Sequence, residues 1–259
     1  MAIDPLFSVA GKVALVTGGG SGIGAMIARG IVERGVRTYI TGRNADRVDA
    51  AAAELRGQQG ECFGLVADFE TRGGVAALAA DLSAREQRLD LLVNNAGTNA
   101  AGSLAEMEEA DWDLVLGVNT KAPFFLIREL LPLLRAAASP EDPARVINVG
   151  SIGGLHVPNW EAHAYGASKA ALHHLTRSLA KALGPDHITV NTVAPGPFPS
   201  GLTDVASEAV KRSVASHVPL GRPGQPEDAA GTVIFLASRA GAYVNGHVIP
   251  LDGGYIAAL

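Results

Sequence analysis

The sequence has a single cysteine, Cys62, among its 259 residues. No intrachain disulfide can therefore form, and the setting of Cys62 in ECFGLV reads as a half-buried strand position. Lys/Arg clusters long enough to follow a phosphate backbone are missing as well. With a formal net charge of -5 and a pI near 5.8, nucleic acid is not an expected partner. No uncharged apolar run reaches ~18 residues, and MAIDPLFSVAGK lacks both a basic start and an unbroken apolar stretch. The expectation is no membrane partner and a cytoplasmic location. Neither His-Glu-x-x-His nor Cys/His ligand spacing occurs, and His173 and His174 would diverge by about 100° on a helix, so no metal site is expected. A Gly-Lys-Ser/Thr ending is missing too, which disfavours nucleoside triphosphate hydrolysis. VGSIGG lacks the first glycine of a nucleophile elbow, which disfavours a serine hydrolase. There is no repeat, low-complexity tract or linker.

What is present is a chain 47% hydrophobic and 18% charged, enough to build one large core. Seven short apolar or β-branched runs, 12–17, 36–42, 62–67, 89–95, 145–150, 188–194 and 247–252, read as strands. Between them lie segments with helical spacing, among them 22–35, 44–56, 105–137, 163–184 and 226–239. Alternation of strand and helix means parallel βαβ units, and strands without strict polar alternation mean that helices cover both faces. The expected fold is a single α/β domain spanning residues 1–259, a doubly wound Rossmann fold on a seven-stranded parallel sheet flanked by helices.

VTGGGSGIG follows the first strand directly and runs into a helix, placing Gly18, Gly22 and Gly24 at a strand-to-helix turn. Missing side chains let the backbone approach a pyrophosphate, whose charge is met by the helix N-terminus. Ser21 and Ile23 belong to the same turn. The acid that would bind a ribose 2′-hydroxyl at the end of the second strand is replaced by Gly42, and Arg43 follows with a guanidinium suited to a 2′-phosphate. Asn44 beside it reads as the cap of the next helix. NADP(H) is the expected cofactor, with NAD(H) as the alternative.

Tyr165 and Lys169 are four residues apart and share a helix face. An ammonium near a phenol favours the phenolate and eases proton transfer. Ser151, at the end of the strand RVINVG, sits at the carboxyl edge where open α/β sheets hold ligands. Tyr, Lys and Ser meeting beside a nicotinamide can reduce a carbonyl.

Thr17 with GGGSGIG, Asp68, NNAG (94–97), Asn119, Ser151, YGASK (165–169), PGPFPS (195–200) and LDGG (251–254) together resemble the short-chain dehydrogenase/reductase family, over residues 7 to 255. The resemblance implies Tyr165 as acid/base, Ser151 holding the substrate oxygen and Lys169 binding the nicotinamide ribose while depressing the tyrosine pKa. Asn119 would complete a water-linked proton relay. On the cofactor side it implies Asp68 and Phe69 at the adenine, and Asn95, Ala96 and Gly97 on the adenosine ribose side. Pro195, Gly196, Phe198 and Ser200 would lie near the nicotinamide. Within the family the chain looks most like NADPH-dependent β-ketoacyl reductases of the rhamnolipid-synthesis type. Substrate contacts are expected from residues 152–164 and from 198 to about 220, with Trp160 as a lid or a buried anchor. The resemblance also implies a homotetramer, to which the apolar YIAAL tail would contribute. The partner is a small-molecule ketone or alcohol; an NAD-linked alcohol or sugar dehydrogenase and a non-catalytic nucleotide-binding scaffold are the rival readings.

Overall fold

The computed structural model describes residues 4–56, 60–100, 102–158, 161–199 and 207–259. Seven parallel strands run β1 (Val13–Val16), β2 (Arg37–Gly42), β3 (Cys62–Val66), β4 (Leu91–Asn94), β5 (Ala144–Val149), β6 (Ile188–Pro195) and β7 (Val248–Leu251). Their order across the sheet is β3-β2-β1-β4-β5-β6-β7. The chain winds outward from β1 in one direction to β3, then returns to β4 on the other side of β1. Strand order reverses between β1 and β4, and the crevice beyond their carboxyl ends is where such a sheet receives a ligand.

Side chains alternating along β1 feed two separate cores. Ala14 and Val16 join Ile27 and Ile31 of α1 (Gly22–Val32), Val48 of α2 (Ala45–Leu55) and Val233 of α8 (Pro226–Ala237) on one face. Val13 and Leu15 join Leu78 of α3 (Arg72–Arg85), Leu126 of α5 (Ala122–Ala137) and Leu183 of α6 (His163–Leu183) on the other. Burial on both faces explains why the strands lack a polar side. Helices α1 and α8 pack so closely that a methyl group added to Gly30 would stand 2.3 Å from the Ala230 side chain.

The segment 105–137, expected as one helix, starts later and carries a π turn. Residues 104–106 form a turn, α4 spans Glu109–Leu116, a wide π turn occupies Gly117–Lys121 and α5 follows. Pro123 stands at the start of α5, where a missing N–H is tolerated, and α5 also runs through Pro132. Two helices lie outside the segments named from periodicity: α3 and α7 (Glu208–His217). In α3 the buried stripe of Val75, Leu78, Ala79 and Leu82 has helical spacing, but Gly73 and Gly74 at its start and alanines on its exposed side blur the pattern. Among the described residues no helix is long and apolar enough to cross a membrane.

Candidate functional site

The turn after β1 is held open by its neighbours. Gly18 has φ +64, and its N–H donates to Thr41 Oγ1 at 3.0 Å. Asn95 Nδ2 donates to the carbonyls of Thr17 and Gly18 at 2.9 and 3.2 Å, while Thr17 Oγ1 accepts from the N–H groups of Asn95 and Ala96. The Asn95 amide thus braces the turn. Gly24 is buried behind it and does not line the cleft: an added methyl would stand 2.4 Å from both Asn95 Nδ2 and the Gly18 carbonyl oxygen. Its missing side chain is thus a packing requirement of the turn. Helix α1 begins at Ser21 with no side-chain capping bond and no acid in its first turn. An uncapped helix start behind a side-chain-free turn suits a pyrophosphate, since unpaired N–H groups and the helix dipole both favour an anion.

A cleft of about 1160 Å³ runs from this turn along the carboxyl ends of the strands. Gly18, Ser21, Gly22 and Ile23 line it, as do Arg43 and Asn44 after β2, Asp68 and Phe69 after β3, and Asn95, Ala96 and Gly97 after β4. Arg43 is exposed and pairs with Glu70 Oε1 at 2.9 Å. Asn44 accepts from the Arg47 N–H at 2.9 Å and so caps α2. Arg47 also lines this end, a second guanidinium that the sequence reading does not pick out. Its signal is in GRNADR: the residue three places after a helix cap stays in the first turn, beside the strand end.

At the other end lie Ser151, Tyr165, Lys169, Pro195, Gly196 and Phe198. Phe198 is buried because Gly224, which has no side chain, leaves room for its ring. Ser200 and Trp160 lie outside the described residues. Ser151 follows β5, and its Oγ accepts from the Gly153 N–H at 3.0 Å, fixing the short turn Ile152–Gly154. A hydrogen bond links its hydroxyl to that of Tyr165. Lys169 Nζ donates to the Val149 carbonyl at 2.9 Å and stands 5.6 Å from the centre of the Tyr165 ring.

Asn119, held in the π turn, is bonded at both ends of its amide. Its Oδ1 accepts from the Thr98 N–H at 2.8 Å, and Nδ2 donates to the Thr98 carbonyl at 2.9 Å and to Ser168 Oγ at 3.0 Å. Ser168 in turn donates to the Tyr165 carbonyl at 2.7 Å. This serine ties α6 to the π turn. Asn119 and Lys169 converge at Gly97, where an added methyl would lie 3.2 Å from Asn119 Oδ1 and 3.6 Å from Lys169 Nζ. His173 is buried on the face of α6 that carries Lys169, whereas His174 is exposed. Among the described residues no group of three His, Cys, Asp or Glu side chains is arranged to hold a metal.

The electrostatics differ from the expectation that Lys169 lowers the Tyr165 pKa. Burial pushes Tyr165 up, opposed by the Ser151 hydrogen bond. Desolvation pulls Lys169 down to about 8. Both shifts have one cause, the exclusion of water from charged forms. Between pH 8 and 10.5 the unfolded chain holds a proton on Lys169 that the folded chain has released, so this group makes stability rise with pH across that window. Measured against Lys169→Met by urea unfolding, the wild type should gain stability from pH 8 to 10, with a slope approaching ~1.4 kcal/mol per unit. A pH-independent difference would show that the amine is not desolvated.

Comparison with known proteins gives consistent relatives. A family model described as enoyl-(acyl carrier protein) reductase matches residues 18–256. The chain is 47% identical over 256 residues to the rhamnolipids biosynthesis 3-oxoacyl-[acyl-carrier-protein] reductase of Pseudomonas aeruginosa, covering 98% of this chain and 99% of that one. It is 33% identical over 270 residues to the gluconate 5-dehydrogenase of Gluconobacter oxydans, with full coverage of both. Among solved structures, the Pseudomonas aeruginosa RhlG/NADP active-site complex superposes with a TM-score of 0.93 at 45% identity, covering 98% of this chain and 99% of that one.

Proposed function

Because this chain belongs to the short-chain dehydrogenase/reductase family, we propose that it interconverts a ketone and a secondary alcohol with NADP(H), and that its substrate is a 3-oxoacyl thioester. The observation that carries this reading is the meeting of the Ser151 and Tyr165 hydroxyls with the Lys169 ammonium at one end of a cleft whose other end holds Arg43 and Arg47. Serine hydroxyl, half-buried phenol and ammonium form a proton donor for a carbonyl oxygen; two guanidiniums at a side-chain-free turn form a receptor for a phosphorylated dinucleotide.

NADP(H), when bound, supplies or takes the hydride at the substrate carbon. Gly18, Ser21, Gly22 and Ile23 would hold its pyrophosphate, Arg43 and Arg47 its 2′-phosphate, Asp68 and Phe69 its adenine, and Lys169 its nicotinamide ribose. The residues of the chain do the rest. Ser151 holds the ketone oxygen, and Tyr165 donates its phenolic proton to that oxygen as the carbonyl π bond breaks. Burial keeps Tyr165 protonated before transfer, and the Ser151 hydrogen bond and Lys169 charge favour the phenolate after it. Asn119 anchors the π turn beside Lys169, from which a water-linked relay would restore the proton. A cytoplasmic homotetramer belongs to the same proposal.

The test is NADPH absorbance with purified protein and a panel of 3-oxoacyl thioesters, sugar acids and cyclic ketones. Turnover of the thioesters supports the reading; oxidation of gluconate in preference to thioester reduction would replace it with a sugar dehydrogenase. A smaller effect is expected at the cofactor end. Arg43 must leave Glu70 to meet a 2′-phosphate, and exposed ion pairs of this kind contribute little. Glu70→Gln should therefore tighten NADPH by about 2- to 5-fold and leave NADH unchanged, as measured by fluorescence titration.

A further inference from the structure

The half of the cleft beyond Ser151 is closed by three elements that meet on one side chain, and that side chain plays no part in the reaction above. Tyr255, in the C-terminal tail, is buried between two imidazoles: the His156 ring centre is 5.3 Å away and the His217 ring centre 5.5 Å, tilted by 35° and 31°. His156 comes from the loop that follows Ser151, and His217 ends α7. Both rings are oriented by local contacts, His217 Nδ1 also lying 2.8 Å from Ser216 Oγ. His156 Nδ1 lies 3.0 Å from the Val157 carbonyl oxygen, and His217 Nδ1 lies 3.1 Å from that of Ser213.

Around the stack lies a small core separate from the two sheet cores, made of Ile152, Val214, Val218 and Tyr255, with Val210 and Ile256 packed against it. The YIAAL tail, read from sequence as surface for another subunit, thus buries its tyrosine against its own chain. LDGG makes this possible. Asp252 accepts from the N–H groups of Gly254 and Ile256 at 2.9 Å each, turning the tail back, and Gly253 and Gly254 have φ +64 and +92. A methyl on Gly253 would stand 2.7 Å from Val218, so the segment after α7 can lie against the tail only where no side chain intervenes.

Ile152, His156, Pro158, Val210, Ser213 and Tyr255 line the cleft at this end. The wall is mostly apolar and is fixed in position by the stack. We infer that Tyr255 is a specificity-determining residue: with His156 it walls the pocket for the alkyl tail of the substrate and sets how long a tail the cleft accepts. This rests on the reading of the chain as a ketone reductase.

The experiment compares wild type, Tyr255→Ala, Tyr255→Leu and Tyr255→Phe on 3-oxoacyl thioesters of increasing chain length, with NADPH affinity measured alongside. Calorimetric binding of the matching 3-hydroxyacyl thioesters in the presence of NADP+ provides a readout independent of turnover. Tyr255→Ala and Tyr255→Leu should raise the long-over-short ratio of kcat/KM by about 10-fold and the binding ratio in the same direction, because pockets of this kind discriminate by roughly that factor per methylene. Tyr255→Phe keeps the stack and should stay within about twofold of wild type, and NADPH affinity should hold throughout. An unchanged ratio in both Tyr255→Ala and Tyr255→Leu, or equal losses at every chain length, overturns the inference while the wild type still reduces ketones. A wild type that reduces no ketone overturns the underlying reading instead, and the inference with it.

Discussion

Tyr165→Phe is expected to lower kcat by about 10²- to 10⁴-fold with NADPH affinity within a few-fold of wild type, since general acid catalysis contributes on that order. The substitution removes one oxygen from a ring that stays packed, so its effect can be separated from folding. Tyr165 lies on α6 four residues before Lys169, and both burial and the Ser151 hydrogen bond act on its hydroxyl. Deleting that hydroxyl leaves Ser151 and Lys169 in place but removes the phenolic proton between them. The loss should appear in kcat and kcat/KM together, the pattern of an interaction made in the transition state. Residual turnover should lose the ionisation that Tyr165 contributes to the wild-type pH profile. A fully active variant would remove Tyr165 from the chemistry and with it the proposed function.

Much of this site is legible in the sequence because its parts are local. The glycine turn, the Tyr165 and Lys169 pair and the strand end carrying Ser151 each depend on a few consecutive residues, and short apolar runs and a period of 3.6 place the seven strands and most helices. What escapes is set by contacts between distant segments or by missing atoms. The π turn at Gly117–Lys121 widens the helix by its hydrogen-bond pattern alone, which a count of apolar residues over 105–137 cannot register. The glycine at position 24 reads as part of the turn, but only the fold shows that Asn95 and the Gly18 carbonyl leave no space for a side chain there. Tyr255 looks like interface surface, and only the return of the tail under Asp252 brings it between His156 and His217. The Tyr165 shift is the clearest case. Helical spacing correctly puts an ammonium beside the phenol, yet the burial that brings them together disfavours both charged forms and reverses the expected direction.

Arg43→Asp should weaken NADPH by about 10²-fold while changing NADH only a few-fold, because a charge-assisted hydrogen bond to phosphate contributes ~1.5–3 kcal/mol and the new carboxylate adds repulsion. The neighbourhood sharpens the effect. Glu70, which pairs with Arg43 at 2.9 Å in the free protein, would lose that cation and gain a second carboxylate beside it. Two negative groups would then face the 2′-phosphate where one guanidinium had stood. Arg47 remains at the same end of the cleft and keeps part of the affinity. Its replacement by alanine should therefore cost less than Arg43→Asp, and the double variant should bind NADPH no better than NADH. Selectivity cannot as easily be reversed one residue earlier. A methyl on Gly42 would stand 3.2 Å from Val48 Cβ, so an acid at the end of β2, the usual means of gripping a 2′-hydroxyl, requires the Val48 side chain of α2 to give by a few tenths of an ångström. Fluorescence titration with both dinucleotides decides the matter: equal losses for NADPH and NADH in Arg43→Asp would move the 2′-phosphate away from Arg43, whereas a loss confined to NADPH places it there.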